Sequence, residues 1–146
     1  MIFINDKNEM IRIESVGYEF PDSNDKSYDS NWLNIKVSIE TEKFSFQVTH
    51  PCLLTYDLKT ISQWFSKIEI KENTQFSDLS FIEPNIEFLF ISYLDNKFEF
   101  QIKLSFECNP NNNDEEFLVI YKKNHNECKL IASMCLEEYG KFPERK

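Results

Sequence analysis

The residues able to do chemistry are few and scattered. Two histidines occur, His50 just before Pro51 and His125 near the start of a helical stretch, and nothing near either supplies a nucleophile with an orienting partner. A hydrolase triad is therefore unsupported, and both read as surface or capping histidines. His125 and Cys128 are three positions apart and could meet on one helical face as two zinc ligands. A structural zinc site needs four ligands, however; Cys135 lies two turns further on, and Cys52 and Cys108 are distant. Buried thiols serving as small hydrophobes are the favoured reading. Only Gly17 and Gly140 occur, which excludes a glycine-rich phosphate loop. Paired acids stand at Asp114-Glu115-Glu116 and Glu137-Glu138, with Asp22, Asp25 and Asp29 scattered. Carboxylates do acid/base work only in a cleft that raises one pKa, and these belong to loops or a solvated helix face. No catalytic residue, metal ligand or cofactor is expected, and the chain does not read as an enzyme.

The chain has 146 residues, 41% of them hydrophobic, and a formal charge of −9. One domain spanning 1–146 with a real core is expected, since fourteen Phe, six Tyr and two Trp carry far more apolar surface than a disordered chain does. The negative charge argues against nucleic-acid binding, which draws affinity from Lys and Arg on phosphates. A sheet binding RNA would also set aromatics on a basic face, whereas the residues between these aromatics are mixed or acidic. A basic partner suits the charge, although plain solubility explains it on base rates. No stretch resembles a signal peptide, and no apolar run approaches the ~20 residues that cross a membrane. A cytoplasmic location with reduced thiols is expected, because the four cysteines show no close pairing motif.

The positioning elements follow from period and turn chemistry. Apolar residues fill every second place from Phe98 to Cys108, as in a half-buried strand, and Ile86 to Leu94 is apolar on both parities, as in a strand covered on both sides. Asp95-Asn96 joins them. A two-residue loop would pair Phe98 with Tyr93, Phe100 with Ile91 and Ile102 with Leu89; a three-residue loop would pair Phe98 with Leu94, Ile102 with Phe90 and Leu104 with Phe88. Turn chemistry favours the first. A second hairpin is expected over residues 1–16, with Ile2 and Ile4 before the polar turn and Ile11 and Ile13 after it. A third joins Leu33–Ile39 to Phe44–Val48, pairing Ile39 with Phe44 and Val37 with Phe46. Gly17 marks a bulge or turn, and 22–30 is a polar loop.

Thr55 can cap a helix carrying Leu58, Ile61, Phe65 and Ile68 on one face, with Trp64 flanking it. After the polar stretch 71–75 a strand is expected near Leu79–Ile82. Phe117–Tyr121 is the last strand. Asn124 and Glu127 have capping-box spacing, with Asn126 a rival cap, before a helix whose face is Cys128, Ile131, Cys135 and Tyr139 and which Gly140 stops. Together these predict an α+β domain: an antiparallel β-sheet built from three hairpins with two α-helices packed on it.

Taken in order, Gly17-Tyr18-Glu19-Phe20-Pro21, Asp29-Ser30-Asn31-Trp32-Leu33, Pro51-Cys52-Leu53-Leu54-Thr55 with Asp57-Leu58 and Trp64, Phe81-Ile82-Glu83-Pro84-Asn85 and Lys141-Phe142-Pro143 resemble the WapI-type immunity protein family over nearly the whole chain. The resemblance implies a small bacterial cytoplasmic protein that neutralises a cognate toxin, typically the C-terminal domain of a large surface or secreted protein used in competition between cells. It carries over no functional residues. With the charge, it suggests that Asp22, Asp25, Asp29, Asp114, Glu115 and Glu116 face a basic toxin surface such as a nuclease cleft. Tyr28, a large ring in a polar loop, is the expected anchor. The plainer alternative folds Tyr28 back onto the sheet and leaves the acids solvated. The competing class is a small-ligand-binding or structural module of another assembly.

Overall fold

Leu33, Ile35, Val37 and Ile39 alternate with polar residues, and all four are buried on one face of a strand, as their parity demands. The computed structural model describes residues 1–23, 27–67, 77–111 and 115–146. Asp25, Ile68, the polar stretch 71–75 and Asp114 lie outside the described residues. The elements run β1 (Ile2–Ile4), β2 (Met10–Tyr18), β3 (Trp32–Glu40), β4 (Ser45–Leu54), α1 (Thr55–Ser66), β5 (Ile86–Leu94), β6 (Lys97–Leu104), β7 (Phe117–Asn124) and α2 (His125–Lys141).

The fold is α+β, with all strand pairs antiparallel. The expected hairpins are present, but their strands make two sheets, β1-β2-β3-β4 and β5-β6-β7, rather than one. They are separate because β7 crosses the end of the first sheet without joining it. Its Phe117 ring meets Phe44 at 5.8 Å. Further along, the Asn5 amide donates to the Ile120 carbonyl (3.1 Å) and the Tyr121 hydroxyl to the Glu9 carbonyl (3.2 Å). One apolar cluster draws on both sheets and both helices. At its centre Phe65 of α1 lies 5.1 Å from Phe100 and 5.7 Å from Phe88.

Several expectations need correction. In β1 the buried residue is Phe3, while Ile2 and Ile4 are 39% and 47% exposed. Phe3 pairs with Ile11, so it shares the inward face of β2, and its neighbours must point out. The β3–β4 hairpin closes through Thr41, whose hydroxyl accepts from the Lys43 and Phe44 amides. Ile39 therefore pairs with Phe46 and Val37 with Val48, a shift of two that keeps the faces.

In the central hairpin Asp95 and Asn96 have φ of +54° and +59°. The two-residue turn holds, and Tyr93 pairs with Phe98. A bulge between Phe90 and Ser92 then sets Phe90 against Phe100 and Phe88 against Ile102, so neither uniform register survives. β5 is covered on one face only: Ile86 and Phe88 are buried, but Ile91 and Leu94 are exposed because the second sheet packs through a single face. β6 ends at Leu104, and Phe106–Cys108 is a 3-10 turn; Cys108 is buried but Phe106 is not. Near Leu79 only a bridge to Phe88 forms, not a strand.

Thr55 opens α1 rather than capping it. Leu54 is the cap residue, and Asp57 accepts its amide at 2.8 Å. Leu58, Ile61, Phe65 and Trp64 are buried, whereas Trp32 is half-buried. In α2 the Asn124–Glu127 box forms reciprocally, at 2.9 and 3.0 Å. Gly140 does not stop this helix, which runs to Lys141 with the Lys141 ammonium on Glu138 at 2.8 Å.

Candidate partner interface

The bulge at Gly17 turns the chain out of β2, and residues 19–23 and 27–31 lie outside the sheet before β3 begins at Trp32. Such a segment must find partners for its backbone carbonyls. Arg145 supplies them: its guanidinium donates to Phe20 (2.9 Å) and Pro21 (3.1 Å), with Ser23 and Ser30 at 3.4 and 3.5 Å. The Arg145 backbone exchanges bonds of 2.7 and 3.1 Å with the Asn31 side chain. The Asn31 carbonyl accepts the Thr55 hydroxyl at 3.1 Å, which ties the segment to α1.

On this clasp sits the 3-10 turn Tyr28–Asn31. Tyr28 is 47% exposed and lies on neither sheet. Its hydroxyl accepts from Tyr56 on the first turn of α1 at 2.6 Å, with the rings 6.1 Å apart. Burial first, then the bond to Tyr28 and the charges of Asp57 and Glu144, push the Tyr56 hydroxyl above the ordinary phenol range. Asp22 and Asp29 are exposed. The result is an aromatic pair with the Tyr28 ring open to solvent and Tyr56 half-buried, with Asp29 next to Tyr28 in the chain and Glu144 close enough to act on the Tyr56 hydroxyl.

The other acidic segment is elsewhere. Glu115 and Glu116 are exposed beside Phe117, and Glu116 meets the Lys103 ammonium at 3.3 Å, which also holds Glu87 at 3.1 Å. Phe44 fixes this corner at one end of β4, whereas Tyr28 and Tyr56 lie beyond the other end. The ten residues of β4 span roughly 30 Å at about 3.3 Å each, so the two acidic groups form no single cluster. Between them the Phe106–Cys108 turn follows the outer edge of β4, with Glu107 3.6 Å from His50 and the free Cys52 thiol hydrogen-bonded to the Cys108 sulfur.

The titratable groups inside the fold serve structure. Burial pushes the Cys128 and Cys135 thiols up to about 12, far from the thiolate that a metal would need. Among the described residues no group of three or more His, Cys, Asp or Glu side chains is placed to hold a metal ion. Asp57, raised to about 6 by burial, spends its carboxylate on the Leu54 amide, and Glu138 accepts the Ser15 amide at 2.9 Å. Among the described residues no helix is long and apolar enough to cross a membrane. Sequence reasoning missed Tyr56, Arg145 and the exposure of Phe106. Only Tyr56 had a local signal, its place in the first turn of a predicted helix.

Over residues 1–143 the chain matches the model of the immunity protein WapI-like family. No curated protein and no solved structure matches it.

Proposed function

The chain belongs to the WapI-like immunity protein family, and on that premise we propose that it neutralises a cognate toxin domain by binding and occluding it, acting in the cytoplasm as one domain without catalysing a reaction. The observation that carries this reading is the Tyr28–Tyr56 pair. A ring 47% exposed on a segment that Arg145 holds in place is a preorganised anchor, costing little order on binding. Asp29 follows Tyr28 in the chain, Asp22 is exposed on the segment that Arg145 holds and Glu144 acts on Tyr56; with Asp25 between Asp22 and Asp29 in the sequence, these acids suit a basic surface such as a nuclease cleft. Opposite charge steers the encounter, with association rates of ~10⁸ M⁻¹s⁻¹ or more at low salt. Glu115 and Glu116 add to the long-range field from the far corner, and the charge of Asp114, next to them in the sequence, is counted with theirs. Affinity rests on the aromatic anchor, because exposed ion pairs contribute only ~0 to 1 kcal/mol each.

The test is co-expression with candidate toxin domains taken from the genes adjoining this one, followed by binding kinetics across a salt series. The wild-type chain should restore growth. Tyr28→Ala should raise the dissociation rate about 30-fold, in line with a hot-spot loss near 2 kcal/mol. The double variant Asp22→Asn/Asp29→Asn should slow association and flatten its salt dependence. No protection and no complex would remove the immunity reading; a complex whose association ignores both salt and these acids would remove the electrostatic part.

A further inference from the structure

Phe106 is the most exposed large apolar side chain among the described residues, at 69%. Its φ is +53°, in the left-handed region that an aromatic residue seldom occupies. Both features work against folding, yet the turn that imposes them is built with care. The Ser105 amide donates to the Asn85 carbonyl at 3.0 Å, and the Asn85 side chain donates to Glu107 at 2.8 Å. The Cys108 amide closes on the Ser105 carbonyl at 3.1 Å, and the Asn109 amide on the Phe106 carbonyl at 3.0 Å. Asn85 is fully buried to make these bonds, and Cys108 seats the turn against Cys52 of β4. A conformation overdetermined in this way and used to hold a ring in water is the form that stored strain takes at a functional surface.

The surroundings indicate what covers that ring. Glu83 and Glu107 both act on the Cys52–Cys108 pair, which sets two carboxylates beside the turn, with the His50 ring 3.6 Å from Glu107. The backbone N–H of Glu107 and the Asn85 side chain hold the Glu107 carboxyl below the usual carboxylate range, so it stays charged. Ile82, 63% exposed, stands on the turn that Asn85 ties to this one. The buried hydroxyl of Ser105, the residue before Phe106, has no hydrogen-bond partner among the described residues.

We propose that Phe106 is a second anchor of the toxin-binding surface, inserting into an apolar recess on a lysine- or arginine-rich face of the toxin domain. The inference rests on the immunity reading and extends it. Cys52, against which the turn sits, is only four residues before Tyr56 in the chain. On this proposal one footprint of ordinary size, roughly 800 Å² on each partner, takes in both anchors. The acids beside Phe106 then meet the same basic face as Asp22 and Asp29.

The test compares Phe106→Gly and Phe106→Ala with wild type and with Tyr28→Ala, using as the probe an inactivated candidate toxin domain from the genes adjoining this one. Glycine accepts positive φ freely, so Phe106→Gly should leave the thermal midpoint unchanged or raise it while weakening binding at least tenfold, chiefly through faster dissociation. A residue of purely structural value would lose stability together with binding. Phe106→Gly binding like wild type while Tyr28→Ala fails would overturn this inference alone. A fall of more than about 5 °C in the midpoint of Phe106→Gly would make the residue structural and overturn it as well. Failure of the wild-type chain to bind removes the immunity reading, and this inference with it.

Discussion

The Arg145 guanidinium lies 3.6 Å from the centre of the Tyr18 ring while donating to the carbonyls of Phe20 and Pro21. Tyr18 in turn gives its hydroxyl to the Pro143 carbonyl and its ring edge to Phe142, 5.5 Å away. Residues 142–145 thus form a strap across the segment that carries Asp22 and Tyr28.

Removing that strap should loosen the loop. The cation–π contact contributes ~0.5 to 1 kcal/mol and each charged hydrogen bond somewhat more, discounted for partial exposure. Arg145→Ala should therefore cost about 2 kcal/mol in urea unfolding and speed amide exchange at Ser23 and Ser30. Arg145→Lys keeps the charge but loses the planar fork and should recover less than half. An Arg145→Ala variant within ~0.5 kcal/mol of wild type would show the strap to be dispensable.

Asp57 should leave a signature in the pH dependence of stability. Burial raises its carboxyl to about 6 from the ordinary aspartate value of 3.8, even though the Leu54 amide bond opposes the rise. Between those values the folded state binds more protons than the unfolded one, so this residue's contribution to stability falls as pH rises from about 4 to 6 and then levels. Asp57→Asn lacks the titration, and its stability relative to wild type should climb across that window by roughly 2 kcal/mol. A difference that is flat between pH 4 and 6 would show that the carboxyl titrates near its ordinary value.

Phe3 bridges the sheets, and the neighbouring isoleucines do not. Its ring centre lies 6.0 Å from Phe65 and Phe88, 6.1 Å from Phe100 and 5.7 Å from Tyr121. Phe3→Ala should cost ~3 to 5 kcal/mol, as a large cavity in a close-packed core does. Ile2→Ala and Ile4→Ala should each cost under ~1 kcal/mol. Equal losses at all three positions in chemical denaturation would contradict the inward face assigned to β1.

What was legible in the sequence is what neighbouring residues decide among themselves. Strand parity showed the buried face of β3 and of β6 as far as Leu104. Asp95-Asn96 declared its tight turn because few other residues accept positive φ. Gly17 marked its bulge, and Asn124 with Glu127 announced the start of α2. Each of these depends on steric and hydrogen-bond preferences acting over a few positions. The tertiary structure alone decided the rest: that the strands divide into two sheets, that Phe3 rather than Ile2 or Ile4 enters the core, and that Tyr28 leans on Tyr56. It also decided that Gly140 stays helical and that Phe106 is turned out. Those outcomes follow from contacts between distant segments, as when Arg145 meets a carbonyl 125 residues away at Phe20. A short strand or a polar loop carries no periodic signal strong enough to indicate which of its faces such a partner will cover.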